Sequence, residues 1–249
     1  PNSFPQAEFP ELQMGQLSNG IRLIVATHDA VPVIHFSLQL NSGYAADQFS
    51  RPGTASLAIS MLEEGTANRE ALEISAQLSA LGAELRSGAN LDYAFVSLSA
   101  LTDNLGPSLD IFSDVILNPE FPQSGLERLK RLTIANIQRE KTTPASMALR
   151  IFPQLIYGEG HAYSLPMTGS GTEDAVMALK RDDLVDFHST WFRPNNATMI
   201  VVGDTTLEEI TPSLEARFAD WEPGEIPEKI IPAVSLPEQP RVVLMDRPG

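Results

Sequence analysis

The sequence predicts an α+β fold, a two-layer sandwich in which helices cover one face of a mostly antiparallel sheet. Runs of alternating or β-branched residues come in pairs, and segments with helical periodicity follow them in blocks. Gly, Pro and Asn separate these segments, as expected for turns. The 249 residues, of which 43% are hydrophobic, are enough to bury a full core.

The first part of the chain predicts two strands. Asn19-Gly20 marks a turn, and the β-branched run 21–25 follows it directly. Residues 33–40 alternate well enough for a second strand. We expect these two runs to pair with each other as a hairpin.

Two helices and another pair of strands come next. Pro52-Gly53 breaks the chain before the first helix, and Gly65 and Gly82 end the two helices. The predicted bounds are 54–64 and 69–81 for the helices, and 83–88 and 92–100 for the strands of a second hairpin.

Helices predominate in the rest of the chain. Thr102 is a predicted N-cap, since its hydroxyl can accept a hydrogen bond from the first turn, and Asn118-Pro119 ends the helix that it begins. Further helices are predicted at 123–141, 145–157, 181–191 and 206–218, and a buried strand is predicted at 197–203.

The composition and periodicity of the sequence change near residue 222. Five prolines interrupt residues 223–240, which show no sustained periodicity. An apolar run then starts at Arg241. We therefore expect one domain at 1–222, a Pro-rich linker or wrapping segment at 223–240, and the truncated first strand of a following domain at 241–249.

Composition excludes several functional classes. Seventeen Lys and Arg against 32 Asp and Glu give a net charge of -15, which disfavours nucleic acid and anionic membranes as partners. A basic or neutral polypeptide fits better. The chain has no cysteine, which excludes disulfides and thiolate chemistry, and no apolar run approaches the roughly 20 residues that span a bilayer.

Seven short segments, in this order along the chain, together carry a family resemblance. They are residues 17–22, 43–47, 61–66, 118–121, 160–163, 192–196 and 201–204. With these segments the chain resembles the amino-terminal domain of the insulinase/pitrilysin family of zinc peptidases, the inverzincins. This resemblance implies the mitochondrial processing peptidase-like metallohydrolase fold.

The family's zinc motif, H-x-x-E-H, is degenerate in this sequence. The resemblance places the first zinc histidine on Ser56, the general-base glutamate on Ile59 and the second histidine on Ser60. The third ligand, a glutamate on a later helix, falls on Asn136. Hydroxyl and amide groups are weak zinc ligands, and an isoleucine cannot transfer a proton. We expect no catalytic residue, no metal and no cofactor in this chain.

Other polar residues have ordinary structural interpretations. His28, His35, His161 and His188 are not spaced as a pair of ligands on one helix, and serine catalysis through Ser56 or Ser60 would need a base in reach. His161 is expected to be a satisfied loop histidine. Glu63 and Glu64 are expected to form a solvated helix end. The family's substrate-pairing strand should lie near residues 84–89, where its usual Asn-Ala-x-Thr is replaced by Arg86-Ser87-Gly88-Ala89.

The resemblance implies a non-catalytic half of a zinc peptidase. Such a chain would help to enclose peptide substrates, possibly basic ones, as a heterodimer or joined half with a homologous catalytic partner that carries the zinc. A structural or assembly subunit without a role in proteolysis is the alternative, and an enzyme with rewired chemistry is a third. Periplasmic location is expected from bacterial family members, with the cytoplasm as the alternative.

Overall fold

The computed structural model describes residues 10–235 and 239–245, which include one six-stranded sheet and eight α-helices. None of the described helices combines the length and apolar character needed to cross a membrane. The strands are β1 Leu12–Gln16, β2 Arg22–Thr27, β3 Val33–Leu40, β4 Glu84–Ala89, β5 Ala94–Leu101 and β6 Ala197–Gly203. The helices are α1 Thr54–Ser60, α2 Ala71–Leu81, α3 Leu105–Leu117, α4 Gln123–Thr142, α5 Pro144–Tyr157, α6 Glu173–Ala178, α7 Arg181–Trp191 and α8 Leu207–Phe218.

The sheet has the order β1-β2-β6-β3-β5-β4, and all of its pairings are antiparallel except the parallel pair of β2 and β6. The predicted α+β class and mostly antiparallel sheet are therefore confirmed. The predicted hairpin of 21–25 with 33–40 is wrong, because β6 lies between β2 and β3. The hairpin partner of β2 is β1, across the turn at Asn19-Gly20.

The core lies between the helices and one face of the sheet. On β5, Val96 and Leu98 point inward and are buried, while the alternate residues are partly exposed. Helix α3 meets this face, and Phe36 of β3 lies 6.2 Å from Phe112 between ring centroids. The opposite face carries short polar residues such as Ser97 on β5, which alternate with the core residues along the strand.

The predicted helix bounds agree with the structure to within two residues except at the end of α1 and the start of α3. Helix α1 ends at Ser60, and a 3₁₀ turn, Leu62–Glu64, continues it. Thr102 does not cap a helix but begins a 3₁₀ turn, Thr102–Asn104, and its Oγ1 is buried without a hydrogen-bond partner in the described part of the chain. The 3₁₀ turn Thr102–Asn104 thus stands before α3, where the sequence predicts Thr102 as the N-cap. The six-residue helix α6 was too short to be predicted from periodicity.

The Pro-rich segment is fastened to the domain surface. The backbone N–H of Ile230 donates to Gln48 Oε1 at 2.7 Å, and Asn195 exchanges two hydrogen bonds with the backbone of Gly224. Residues 241–245 form no strand, and residues 246–249 lie outside the described part of the chain. A strand needs a paired neighbour. The following domain and its first strand at 241–249 therefore stay predictions.

Acidification should weaken the fold through His188 on α7. Its Nε2 lies 2.8 Å from the carbonyl oxygen of Ile116, and its ring stacks on Phe192 with centroids 4.5 Å apart. Burial lowers the pKa of His188 from 6.5 to about 4, the Ile116 bond opposes this, and the charge of Arg193 reinforces it. The imidazole at position 188 binds a proton near pH 6.5 in the unfolded chain but only near pH 4 in the folded chain. The stabilising contribution of the neutral, buried His188 is therefore complete above about pH 6.5 and is lost as the pH falls towards 4.

Urea unfolding between about pH 7 and pH 4.5 measures this effect. His188→Gln keeps a hydrogen-bond donor but does not titrate, so the free energy of unfolding of this variant should depend less on pH. His28 is exposed, and His28→Gln serves as the matched control. An identical pH dependence for the His188 variant and the unsubstituted chain would contradict this assignment.

Candidate functional site

Helices α1 and α4 bring three of the four degenerate positions to one cavity. Ser56 and Ser60 lie one turn apart on α1, and Asn136 faces them from α4. The cavity has a volume of about 280 Å³. Its lining residues are Ser56, Leu57, Ser60, Leu129, Leu132, Thr133, Asn136, Thr168, Gly169 and Ser170.

The two α1 serines differ in their surroundings. Ser56 is partly buried, and its Oγ donates a hydrogen bond to the carbonyl oxygen of Gly169 at 2.7 Å. Ser60 is exposed. The Ser56 hydroxyl is thus engaged with a backbone acceptor rather than with a base that could activate it.

Ile59 does not belong to the described lining of this cavity. Its side chain is only 1% exposed and packs in the core, while its carbonyl oxygen accepts a hydrogen bond from Ser87 Oγ at 3.3 Å. On a helix, adjacent residues diverge by about 100°. The sequence groups Ile59 with Ser56 and Ser60 in one motif, but the structure separates its side chain from theirs.

Asn136 is held by its neighbours on α4. Its Nδ2 donates to Glu140 Oε1 at 2.8 Å, and its Oδ1 accepts from Arg139 at 2.6 Å. The other Glu140 oxygen, Oε2, accepts from Arg150 on α5 and from Ser170, both at 2.7 Å. The Glu140 carboxylate is therefore committed to a buried ion pair and a hydrogen bond.

The loop 166–171 forms one wall of the cavity, and the sequence-based prediction did not assign it to the site. Gly169 and Gly171 both have φ of 70°, which favours glycine. A Cβ on Gly171 would lie 2.2 Å from the carbonyl oxygen of Pro52, so the loop approaches the start of α1 more closely than a side chain permits. Arg150 donates to the Gly171 carbonyl at 2.6 Å and fixes the loop. The two closely spaced glycines were the available sequence signal.

The residues of the cavity do not fit a zinc ion. Those described in its lining carry only hydroxyl, amide or aliphatic side chains. Zinc prefers thiolate, imidazole and carboxylate ligands. Among residues 10–235 and 239–245, no group of three His, Cys, Asp or Glu side chains is placed to hold a metal ion.

Glu63 and Glu64 are not the solvated pair that the sequence suggests. Glu63 Oε1 accepts a hydrogen bond from Ser87 Oγ on β4 at 2.8 Å, and Glu64 pairs with Arg128 on α4. Burial raises the pKa of Glu63, the Ser87 bond lowers it, and the charge of Glu64 raises it. Both glutamates therefore join the 3₁₀ turn after α1 to neighbouring elements.

A second cavity, of about 710 Å³, lies between α5 and the loop 159–166. Asp47 and His161 are in its lining, and both are satisfied by local partners. Asp47 accepts from the N–H groups of Gly53 and Ala55 at 2.6 and 2.8 Å, and burial raises its pKa to about 7 despite these bonds. His161 Nδ1 accepts from the backbone of Tyr163 at 2.9 Å, as expected for a structural histidine.

Strand β4 forms one edge of the sheet, beside α1. It pairs with β5, and Arg86 and Glu84 form an ion pair with each other on its exposed face. Gly88 allows the ring of Phe95 to lie against the strand, since a Cβ there would be 2.8 Å from the ring. The replaced segment 86–89 thus retains a regular edge strand next to α1.

Two family models match the chain. The model of the insulinase family, peptidase family M16, matches residues 23–162, which is more than half of the 249 residues. The model of the peptidase M16 inactive domain matches residues 178–249.

Solved structures share the fold. The peptidase M16 inactive domain from Pseudomonas fluorescens has a TM-score of 0.83 and 26% sequence identity, with 88% of this chain and 53% of that chain covered. The first half of the periplasmic protease PqqL from Escherichia coli has a TM-score of 0.76 and 21% identity, with 90% of this chain and 50% of that chain covered. At the lower identity, the likeness concerns the fold alone.

Curated relatives are longer than this chain. The beta subunit of the mitochondrial-processing peptidase of Rattus norvegicus is 21% identical over 211 residues, which cover 85% of this chain and 42% of the relative. The chain spans between 16% and 46% of the length of the curated relatives that it matches.

Proposed function

The chain belongs to the insulinase family, peptidase family M16, and we propose that it is a non-catalytic member of that family. In this proposal it forms part of the wall of a peptide-enclosing chamber and performs no bond cleavage itself. A homologous catalytic subunit or half supplies the zinc. The proposed role is thus to enclose and position a polypeptide, while the hydrolytic step takes place at the partner's site.

The observation that carries the proposal is the neutral lining of the cavity between α1 and α4. A general base or a metal ligand needs a group that titrates or coordinates at neutral pH. Ser56, Ser60 and Asn136 line the cavity with neutral groups, and Ile59 is buried in the core. All four positions to which the family resemblance assigns the chemistry therefore lack suitable side chains.

The surface of the domain supports a role in peptide enclosure. The net charge of -15 favours the approach of basic polypeptides at low ionic strength. The edge strand β4 lies beside α1, and alternate residues of β3, β5 and β6 on one face of the sheet are partly exposed. An extended peptide can approach both features.

Partnership and location follow by analogy with relatives. The rat relative is named a subunit, and the Escherichia coli neighbour is the first half of a periplasmic protease. We accordingly propose a homologous catalytic subunit or half as partner, and the periplasm as location. We further propose that residues 1–222 are the peptidase-like domain, that 223–240 connect it onward, and that 241–249 begin a further domain.

To test this proposal, the full-length form of this chain is mixed with a zinc-bearing homologue that has an intact H-x-x-E-H motif, and peptide cleavage is measured. Peptide cleavage by the mixture should exceed that by the homologue alone by about tenfold, because a closed chamber holds substrate at the zinc. Basic peptides should gain more than acidic ones, and the difference should shrink with added salt.

Two controls separate the contribution of this chain to cleavage from that of the zinc-bearing homologue. A homologue whose motif glutamate is replaced by glutamine should abolish cleavage in the mixture, since this chain supplies no base. This chain alone, supplied with zinc, should cleave nothing. A complex that forms without any change in the cleavage rate would favour the structural or assembly role instead, and cleavage by this chain alone would overturn the proposal.

A further inference from the structure

The cavity between α5 and the loop 159–166 is separate from the cavity that contains Ser56. The two cavities have no lining residue in common. We call the larger one, of about 710 Å³, the α5 cavity. Its volume lies within the range of roughly 300 to 1,000 Å³ that is typical of small-molecule sites. The α5 cavity is therefore large enough to hold a ligand of its own.

Hydrogen bonds hold two walls of the α5 cavity in place. Ile230, from the Pro-rich segment, donates its N–H to Gln48 Oε1 at 2.7 Å, and its carbonyl oxygen accepts from the N–H of Ala162 at 3.2 Å. Arg150 on α5 donates to Glu140 at 2.7 Å. Ile230, Gln48 and Arg150 all line the cavity. Its shape is thus set by bonds within the protein, as in a pre-formed binding site.

Part of the lining is apolar. Met147 and Ile151 lie one turn apart on α5 and present an apolar stripe to the cavity. Leu165 and Ile230 add apolar groups from the loop and from the Pro-rich segment. A hydrocarbon stem that lies against these side chains is removed from water, which favours its binding.

Both cationic side chains in the lining are already paired. Arg150 forms an ion pair with Glu140, and Lys141 forms one with Glu173, each with an N–O distance of 2.7 Å. Neither glutamate belongs to the described lining. The two bases are therefore neutralised from outside the cavity.

The lining also contains two carboxylates without a cationic partner. Among the described residues, neither Asp47 nor Glu159 forms an ion pair. Asp47 is only 2% exposed, and it accepts hydrogen bonds from the neutral backbone N–H groups of Gly53 and Ala55. Burial raises its pKa to about 7 although these bonds lower it, so its negative charge is poorly compensated. A cation in the cavity would compensate this charge, and each carboxylate oxygen has a second lone pair for the contact.

We propose that the α5 cavity binds an organic cation, an ammonium or guanidinium group carried on an apolar stem. The charged group lies at Asp47, and the stem lies against Met147 and Ile151. Free amines and the side chains of lysine and arginine in a polypeptide share this chemistry. The site goes beyond the proposed function, because it requires neither a catalytic partner nor the neutral cavity between α1 and α4.

Ligand-observed NMR with the full-length form of this chain tests the charge requirement. The probes are n-pentylamine, 1-pentanol and pentanoate, which have similar stems and differ in the charge of the end group. Pentylamine should bind at least about tenfold more tightly than pentanol, because only the ammonium compensates the charge of Asp47. Pentanoate should bind more weakly than pentanol. Equal affinities for pentylamine and pentanol would overturn the proposal.

Two neighbouring substitutions on α5 locate the site. Ile151→Lys places an ammonium group of the protein itself in the cavity and should weaken pentylamine binding by at least about tenfold. Phe152→Lys is the matched control, because Phe152 is the next residue on the same helix, is 54% exposed and does not belong to the described lining. It should change the affinity by less than about twofold, since its added charge is screened by solvent. Similar effects of the two substitutions would overturn the assignment of the cavity.

Asp47→Asn tests the carboxylate itself. This variant should bind pentylamine no more tightly than pentanol, while its affinity for pentanol stays unchanged. Because Asp47 accepts hydrogen bonds at the start of α1, thermal unfolding must first show that the variant is folded. If it is not, the comparison of Ile151→Lys with Phe152→Lys decides. Undiminished pentylamine binding by a folded Asp47→Asn variant would contradict the role of Asp47.

A capped tripeptide with lysine between two alanines distinguishes the two sources of the cation. Tighter binding of this tripeptide than of pentylamine, lost when norleucine replaces the lysine, would assign the site to polypeptides. Tighter binding of pentylamine would assign it to free amines. No zinc-bearing homologue takes part, so the result is independent of the cleavage assay for the proposed function.

Discussion

Replacing Asp114 by alanine should lower the free energy of unfolding by about 3 to 5 kcal/mol. Asp114 lies near the end of α3 and is 5% exposed. Its carboxylate accepts hydrogen bonds from Thr66 at 2.7 Å and from Asn68 at 2.6 Å. Arg69 and Asn118 donate to it at 2.5 and 3.0 Å.

These contacts join the loop that follows α1 to the end of α3. Thr66 also accepts from the backbone N–H groups of Asn68 and Arg69, so the loop conformation depends on the same cluster. Alanine at position 114 would leave four donors without their acceptor, with the Arg69 charge only partly exposed. The large expected loss reflects these unpaired groups as much as the lost attraction.

The pKa of Asp114 predicts how this contribution varies with pH. Burial alone would raise the pKa, but the bonds from Thr66, Asn68, Asn118 and Arg69 together bring it below 3.8. The folded pKa is therefore lower than the unfolded value. The stabilisation is present above the unfolded pKa and is lost as the pH falls through the folded value.

Urea or thermal unfolding near neutral pH checks the expected loss. Asp114→Ala should lower the Tm by roughly 10 °C in a chain of this size. Asp110→Ala is the matched control, because Asp110 is 55% exposed on the same helix and pairs with Arg217. It should cost at most about 1 kcal/mol, as exposed ion pairs do. Similar losses for the two variants would contradict the assigned role of Asp114.

Local patterns predicted most of the fold. The hairpin of β4 and β5 and the long helices α3 and α4 follow from alternation and from helical spacing over neighbouring residues. The placement of β6 could not be obtained in this way. It pairs with β2 and β3 although more than 150 residues of chain separate them, and only the packing of the whole sheet selects that order.

The residues of the candidate site could be predicted from the sequence, but the directions of their side chains could not. Spacing along the family motif locates Ser56, Ser60 and Asn136, which the structure places at one cavity. It does not reveal that Ile59 turns into the core. Nor does it reveal that Gly169 accepts the Ser56 hydroxyl, since this contact spans 113 positions in the sequence.

Introducing metal ligands at three of these positions should create a zinc site. Ser56→His, Ser60→His and Asn136→Glu together place two imidazoles one turn apart on α1 and a carboxylate on α4 at the same cavity. We expect one Zn²⁺ per chain with a Kd on the order of 1 µM or tighter. The carbonyl of Gly169, now the acceptor for Ser56, is available to orient an imidazole at that position.

The metal-free triple variant should be less stable than the unsubstituted chain. Asn136 donates to Glu140, and a second carboxylate at position 136 replaces this bond with repulsion between like charges. Zinc binding to the folded state should reverse the loss, so the Tm of the triple variant should rise with zinc concentration. Calorimetric titration and thermal unfolding measure affinity and stability separately.

Variants that keep the wild-type residue at any one of the three positions serve as matched controls and should bind zinc at least about tenfold more weakly. Adding Ile59→Glu to complete the family motif should cost further stability, because that side chain lies in the core. A folded triple variant that binds no zinc would show that the motif is misaligned with α1. A variant that binds zinc only when the Ile59 substitution is included would contradict the buried direction of that side chain, and it would relocate the site to the sheet side of α1.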